Sequence, residues 1–222
     1  MTRIKLCGLM ETADILTANS LQPDYIGFVF AQGSRRRVSE RRAADLKLLL
    51  DPQIRAVGVF VDDDPERIAD LLQKGIIDAA QLHGKEDNAY IRRLRDLTDR
   101  PVFQAFRVGC GSKGCADPEQ ERQQAQALER AGESEADRIL LDSGAGTGSV
   151  FDWSLLAKFK RPYFLAGGLT PENVADAVKI LSPYGVDVSS GIEKDGRKDP
   201  ARMAAFTEAV RKAGISCTSG CA

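Results

Sequence analysis

Short apolar runs rich in β-forming residues recur along this chain, separated by segments whose apolar residues follow helical spacing. The runs are IKLCG, YIGFVF, RAVGVF, AAQLHG, VFQAFRV, RILLDS, YFLAGG and GVDVSSG; the segments between them include ERRAADLKLLL, PERIADLLQKG, AYIRRLRDL and PENVADAVKIL. Each run is mostly apolar throughout, the signature of a parallel strand covered on both faces. Helix starts are marked by Pro65, by Asp117 with Pro118, by Thr170 with Pro171 and by Asp199 with Pro200, because proline suits the first helical turn. Eight such units in 222 residues are what a closed barrel requires. The expected fold is therefore α/β, a single-domain (β/α)8 TIM barrel over 1–214 with a frayed tail at 215–222. A doubly wound open sheet is the alternative. Against it, no GxGxxG follows the first strand and the most evident glycine pair follows the seventh. No stretch rich in Pro, Gly or Ser divides the chain.

A formal net charge of −1, with acidic and basic residues interspersed, argues against nucleic acid or an anionic membrane as the main partner, so any anion site must be local. There is no basic-then-apolar leader and no apolar run of roughly 18 residues, and a cytoplasmic protein that neither enters nor spans a membrane is expected. The five cysteines, at 7, 110, 115, 217 and 221, show no CxxC spacing and are expected as reduced thiols. Cys110 with Cys115, and Cys217 with Cys221, are candidate facultative disulfides.

In a barrel the chemistry sits at the carboxyl ends of the strands, so strand parity tests each polar residue. Cys7 ends the first strand and shares a face with Lys5, while Ile4 and Leu6 take the other. A strand ending this way delivers a thiol to solvent, as base or nucleophile, with an ammonium nearby to lower its pKa from about 8.5; the structural reading is a small buried apolar cysteine. Gln81 and the lone His83 share a face of the fourth strand, Asp142 closes RILLD, and Asp187 shares a face of the eighth with Ser189. Placing ionisable groups there gains a purely structural barrel little, because buried charge is costly unless paired.

A second signal is for phosphate. AGGLTPENV puts Gly167 and Gly168 between the seventh strand and a helix, and DVSSGIE puts Ser189, Ser190 and Gly191 after the eighth. Barrels bind phosphate with this pair of loops: glycine admits the oxygens to backbone N–H groups, and a helix N-terminus adds partial positive charge.

Taken in order, KLCG, GFVF followed by SRR, VGVF, QLHG, LLDS with GSVFDW after it, AGGLTPENV and DVSSG resemble phosphoribosylanthranilate isomerase of tryptophan biosynthesis along essentially the whole chain. The resemblance implies an Amadori rearrangement of N-(5-phosphoribosyl)anthranilate to 1-(2-carboxyphenylamino)-1-deoxyribulose 5-phosphate, without cofactor or metal, by a monomer or homodimer. It implies Asp142 as general acid and Cys7 as general base. Asp142 then has to hold a proton at neutral pH, well above its reference pKa of about 3.9. Arg36 matches the arginine for the anthranilate carboxylate, with Arg35 and Arg37 flanking it as rivals; a guanidinium suits that bidentate task. Asp187 matches a carboxylate that accepts from the bridging amine, and His83 a pocket residue. Two other readings stay open: a barrel lyase or synthase using a lysine acid, for which Lys5 is available, and a non-catalytic phosphate-binding barrel. Gly144, Gly146 and Gly148 give the loop after Asp142 the hinge freedom of a lid.

Overall fold

The computed structural model describes residues 1–109, 118–143, 156 and 159–216. Eight strands follow one another in sequence order around a closed barrel: β1 (Arg3–Cys7), β2 (Tyr25–Val29), β3 (Arg55–Phe60), β4 (Ala79–Leu82), β5 (Val102–Arg107), β6 (Arg138–Asp142), β7 (Tyr163–Ala166) and β8 (Gly185–Val188). Each falls within one of the eight apolar runs to within a residue or two, as expected where both faces of a strand are covered. The described residues hold seven α-helices: α1 (Thr12–Leu21), α2 (Glu40–Leu49), α3 (Pro65–Gln73), α4 (Asn88–Leu97), α5 (Pro118–Glu133), α6 (Val174–Leu181) and α7 (Pro200–Ser216). By contact density the chain forms two compact units, one of Lys5–Ala105 with Ser134–Arg138 and one of the remaining residues.

In the first unit, parallel register carries Cys7 to Gly27, Gly27 to Val57 and Val57 to Ala79, and one layer nearer the carboxyl ends Val29 to Val59 and Val59 to Gln81. Partners in register point to the same side of a sheet, so Cys7, Val29, Val59 and Gln81 share one face. The helices opposite are started by local chemistry. Ser39 Oγ accepts from the Arg42 N–H at the head of α2, Asp64 accepts from Glu66 ahead of Pro65, and Asp87 accepts from Tyr90. Ile68, Leu71 and Leu72 of α3 are wholly buried, each worth about 1.5–3 kcal/mol. α1 has no comparable apolar stripe: Ile15 and Ala18 are buried while Leu16 is 58% exposed.

In the second unit, Leu140 pairs with Phe164 and Phe164 with Gly185, while Asp142 pairs with Ala166. α6 starts later than its sequence suggests. Thr170 and Pro171 open a turn rather than the helix, because the Asn173 carboxamide folds back to accept from the Thr170 N–H and donate to the Gly168 carbonyl. Beyond β8 come a single 3-10 turn (Ser190–Ile192) and a two-stranded hairpin of β9 (Glu193–Lys194) and β10 (Arg197–Lys198). Asp117, the two candidate cysteine pairs and the glycines 144, 146 and 148 lie outside the described residues.

Candidate active site

Of the two readings of Cys7, the structure has the buried one: it is only 7% exposed and packs with Val29, Val59 and Ala31. The reason lies next to it. A Cβ on Gly27 would stand 2.6 Å from Cys7 Sγ and 3.1 Å from its Cα, so the absence of a side chain on β2 is what gives the sulfur its place. Lys5, on the same face of β1, is wholly buried. His83 follows β4 directly, half-buried; its N–H donates to the Phe60 carbonyl at 2.9 Å, and its Nδ1 is 3.5 Å from Gln81 Nε2. Arg36 is half-buried between exposed Arg35 and Arg37, and its backbone N–H donates to Ser34 Oγ at 3.2 Å.

The loops after β3 and β4 are cross-tied. Glu86 accepts from the Asp62 and Gly84 N–H groups, both at 2.8 Å, and Asp62 accepts from the Lys85 N–H at 2.7 Å. Tyr90 Oη donates to the Asp63 carbonyl at 2.8 Å; burial, then Glu86 and Asp63 nearby, push its pKa well above the ordinary tyrosine value. Gln104 of β5 donates to the Glu86 carbonyl and accepts from Ser134 Oγ. These bonds set the segment carrying His83 without any residue the sequence singled out.

In the second unit Asp142 closes β6, half-buried, its carbonyl accepting from Val108 N–H at 2.8 Å. Gly167 sits beside it with φ +87°, and a Cβ there would run into Asp142 Oδ1. Glycine is required twice over, for the left-handed backbone and for the carboxyl's space. Gly168 also has positive φ, at +62°. Ser143 Oγ donates to the Gly167 carbonyl at 2.9 Å, fastening the end of β6 to the loop after β7. Asp187 is buried in β8.

The two glycine loops touch: a Cβ on Gly191 would collide with the Leu169 carbonyl oxygen. Ser189 is held from outside the motif. Lys198 Nζ donates to its carbonyl at 2.8 Å and its Oγ at 3.3 Å, and pairs with Glu193 at 2.9 Å, the two side chains only 1% and 6% exposed. Arg202 Nε donates to the Gly191 carbonyl at 3.1 Å. Lys198 and Glu193 escape a reading of strand runs because β9 and β10 are two residues each, and Arg202 lies in the first turn of α7. The signal for their hairpin is Asp195-Gly196, both with positive φ, the dipeptide that favours a tight type I′ turn. Among the described residues no cluster of three or more His, Cys, Asp or Glu is placed to hold a metal ion, and no helix is long and apolar enough to cross a membrane.

A closed eight-stranded ring with ionisable side chains at strand ends places the chain among the (β/α)8-barrel enzymes. A family profile described as N-(5'phosphoribosyl)anthranilate (PRA) isomerase matches residues 4–209. The chain belongs to this isomerase family. It is 42% identical over 204 residues to the N-(5'-phosphoribosyl)anthranilate isomerase of Endomicrobium trichonymphae, covering 90% of this chain and 93% of that protein. The solved structure of phosphoribosyl anthranilate isomerase from Thermotoga maritima superposes with TM-score 0.81 at 34% identity, covering 96% of this chain and all of that one. A phosphoribosyl anthranilate isomerase in complex with reduced 1-(o-carboxyphenylamino)-1-deoxyribulose 5-phosphate superposes with TM-score 0.79 at 34% identity, over 96% and 100% of the two chains.

Proposed function

We infer that this chain catalyses the Amadori rearrangement of N-(5-phosphoribosyl)anthranilate to 1-(2-carboxyphenylamino)-1-deoxyribulose 5-phosphate, a step of tryptophan biosynthesis. In this reading Asp142 protonates the furanose ring oxygen as the C1′–O bond breaks, and the anilino nitrogen lone pair forms the Schiff base. The Cys7 thiolate takes the C2′ proton, the electron pair moves toward the iminium, and the resulting enol becomes the ketone as C1′ gains a proton. The observation that supports these roles best is shared by both residues. Each ends its strand, and each has a glycine on the next strand or loop whose Cβ would occupy the space of its reactive atom.

Arg36 is favoured over its neighbours for the anthranilate carboxylate because it alone of the three is half-buried, and a partly desolvated guanidinium binds a carboxylate more strongly than a solvated one. Asp187 accepts from the bridging amine and His83 lines the pocket. Gly167, Gly168, Ser189, Ser190 and Gly191 take the phosphate. A lysine acid at Lys5 is disfavoured by its complete burial.

The test is loss of anthranilate fluorescence on mixing with freshly made phosphoribosylanthranilate. Cys7→Ala and Asp142→Asn are each expected to lower kcat by ~100-fold or more with binding of the reduced product analogue retained. Equal losses of binding and turnover would refute the assigned roles, and an inactive folded wild type would refute the reaction.

A further inference from the structure

We propose that Gln81 is a substrate-binding residue of this same site, its carboxamide oxygen accepting a hydrogen bond from a hydroxyl group of the pentose chain; the proposal rests on the reaction inferred above. Gln81 is 1% exposed, yet its Oε1 has no hydrogen-bond partner among the described residues. An acceptor stripped of water and given nothing in return is destabilising, and such atoms are uncommon enough that each calls for a cause.

Its position supplies one. Gln81 lies in register with Val59, on the face where Val59 and Val29 pack against Cys7. Neither valine has a donor to offer. The other end of the amide is turned to His83, Nε2 lying 3.5 Å from Nδ1, which leaves the oxygen facing away from the imidazole. The glutamine of the neighbouring strand makes the contrast: Gln104 spends both ends of its amide, on the Glu86 carbonyl and on Ser134 Oγ. A second buried orphan, Tyr163 Oη, belongs to the first residue of β7, at the end of the strand away from the chemistry.

The donors of the open-chain substrate are the pentose hydroxyls and the anilino N–H. With Asp187 taking the amine, the hydroxyls remain for Gln81. An acceptor on the same face as the base, gripping a hydroxyl borne on or next to C2′, also orients the carbon that loses its proton. Gln81 is thus a binding and positioning group, not a proton carrier.

The test separates this role from a structural one by sign. Gln81→Met keeps the length of the side chain and removes the orphan. It is expected to leave the melting temperature unchanged or higher, while kcat/KM falls by roughly tenfold or more and the Kd of the reduced product analogue, read by calorimetry, rises by a similar factor. Gln81→Glu keeps the acceptor and is expected to bind the analogue more tightly than the Met variant. A Met variant that melts lower yet binds the analogue like wild type would overturn the proposal, as would one that is more stable with unchanged kcat/KM and Kd. If Met does not fold, Gln81→Leu is measured in its place with the same criteria. Should wild type show no turnover, the reaction inferred above fails on its own, and the calorimetric comparison still decides whether Gln81 holds a pentose hydroxyl.

Discussion

Adding one methyl group to β2 is expected to disable the Cys7 thiol proposed above as the base. In Gly27→Ala the new carbon stands 2.6 Å from Cys7 Sγ, 3.1 Å from its Cα and 3.2 Å from its Cβ, where comfortable non-bonded separations are about 3.5–4.0 Å. Both strands are central in the sheet and cannot separate without breaking the register that pairs these two residues, so the thiol must shift by about 1 Å. Overpacking of this kind costs about 1–3 kcal/mol of stability, and about 1 Å of misplacement at a reacting group costs on the order of 10²-fold in rate. Fluorescence-monitored kinetics on Gly27→Ala, Cys7→Ala and the double variant test the reasoning as a cycle. The single glycine variant is expected to lose about 100-fold in kcat with analogue affinity nearly intact, and to lose almost nothing further when Cys7 is already alanine. Losses that multiply in the double variant, or a folded Gly27→Ala with wild-type kcat, would refute the claim that this glycine acts through the sulfur.

Gly167→Ala combines a backbone at φ +87° with a methyl directed into the Asp142 carboxyl; it is expected to cost about 1–2 kcal/mol from the backbone alone and to lower kcat more than it raises KM. Lys198→Met leaves Glu193 buried without its ammonium, which should cost about 3–5 kcal/mol in denaturant melts and raise the Ki of inorganic phosphate. Adding Glu193→Leu should recover stability without recovering phosphate affinity. Tyr163→Phe removes a buried hydroxyl that has no partner among the described residues and should melt at or above the wild-type temperature, by roughly 2–4 °C for each kcal/mol recovered.

The strands were legible because burial on both faces writes itself into consecutive residues: YIGFVF and RAVGVF leave little choice. Helix starts were legible where proline marks the first turn, as at Pro65 and at Asp199-Pro200. The same cue misplaced α6, where the Asn173 side chain competes for the groups that proline would leave to a helix. Strand parity found Gln81 and His83 but not what distinguishes them from Gln104, because satisfaction of an amide is a property of neighbours far apart in the chain. The cause of Cys7's burial was equally hidden. That burial depends on a glycine twenty residues away in sequence and adjacent in the sheet. The three arginines in SRRR, of which the resemblance picked Arg36, differ in the structure by burial: Arg36 is half-buried and its two neighbours are exposed.

The hairpin beyond β8 has a consequence for redesigning the chain. Joining the two ends of this chain and opening it between Asp195 and Gly196 would leave all eight barrel strands and their order intact. By the measure of loop tips that is an inviting place to cut. Yet the cut would untether Glu193 from Lys198, and with them the ammonium that holds Ser189. A circular permutant of this design should therefore keep its fold while losing affinity for the phosphate proposed above for these loops, whereas one opened at the exposed turn around Gly75 should keep both.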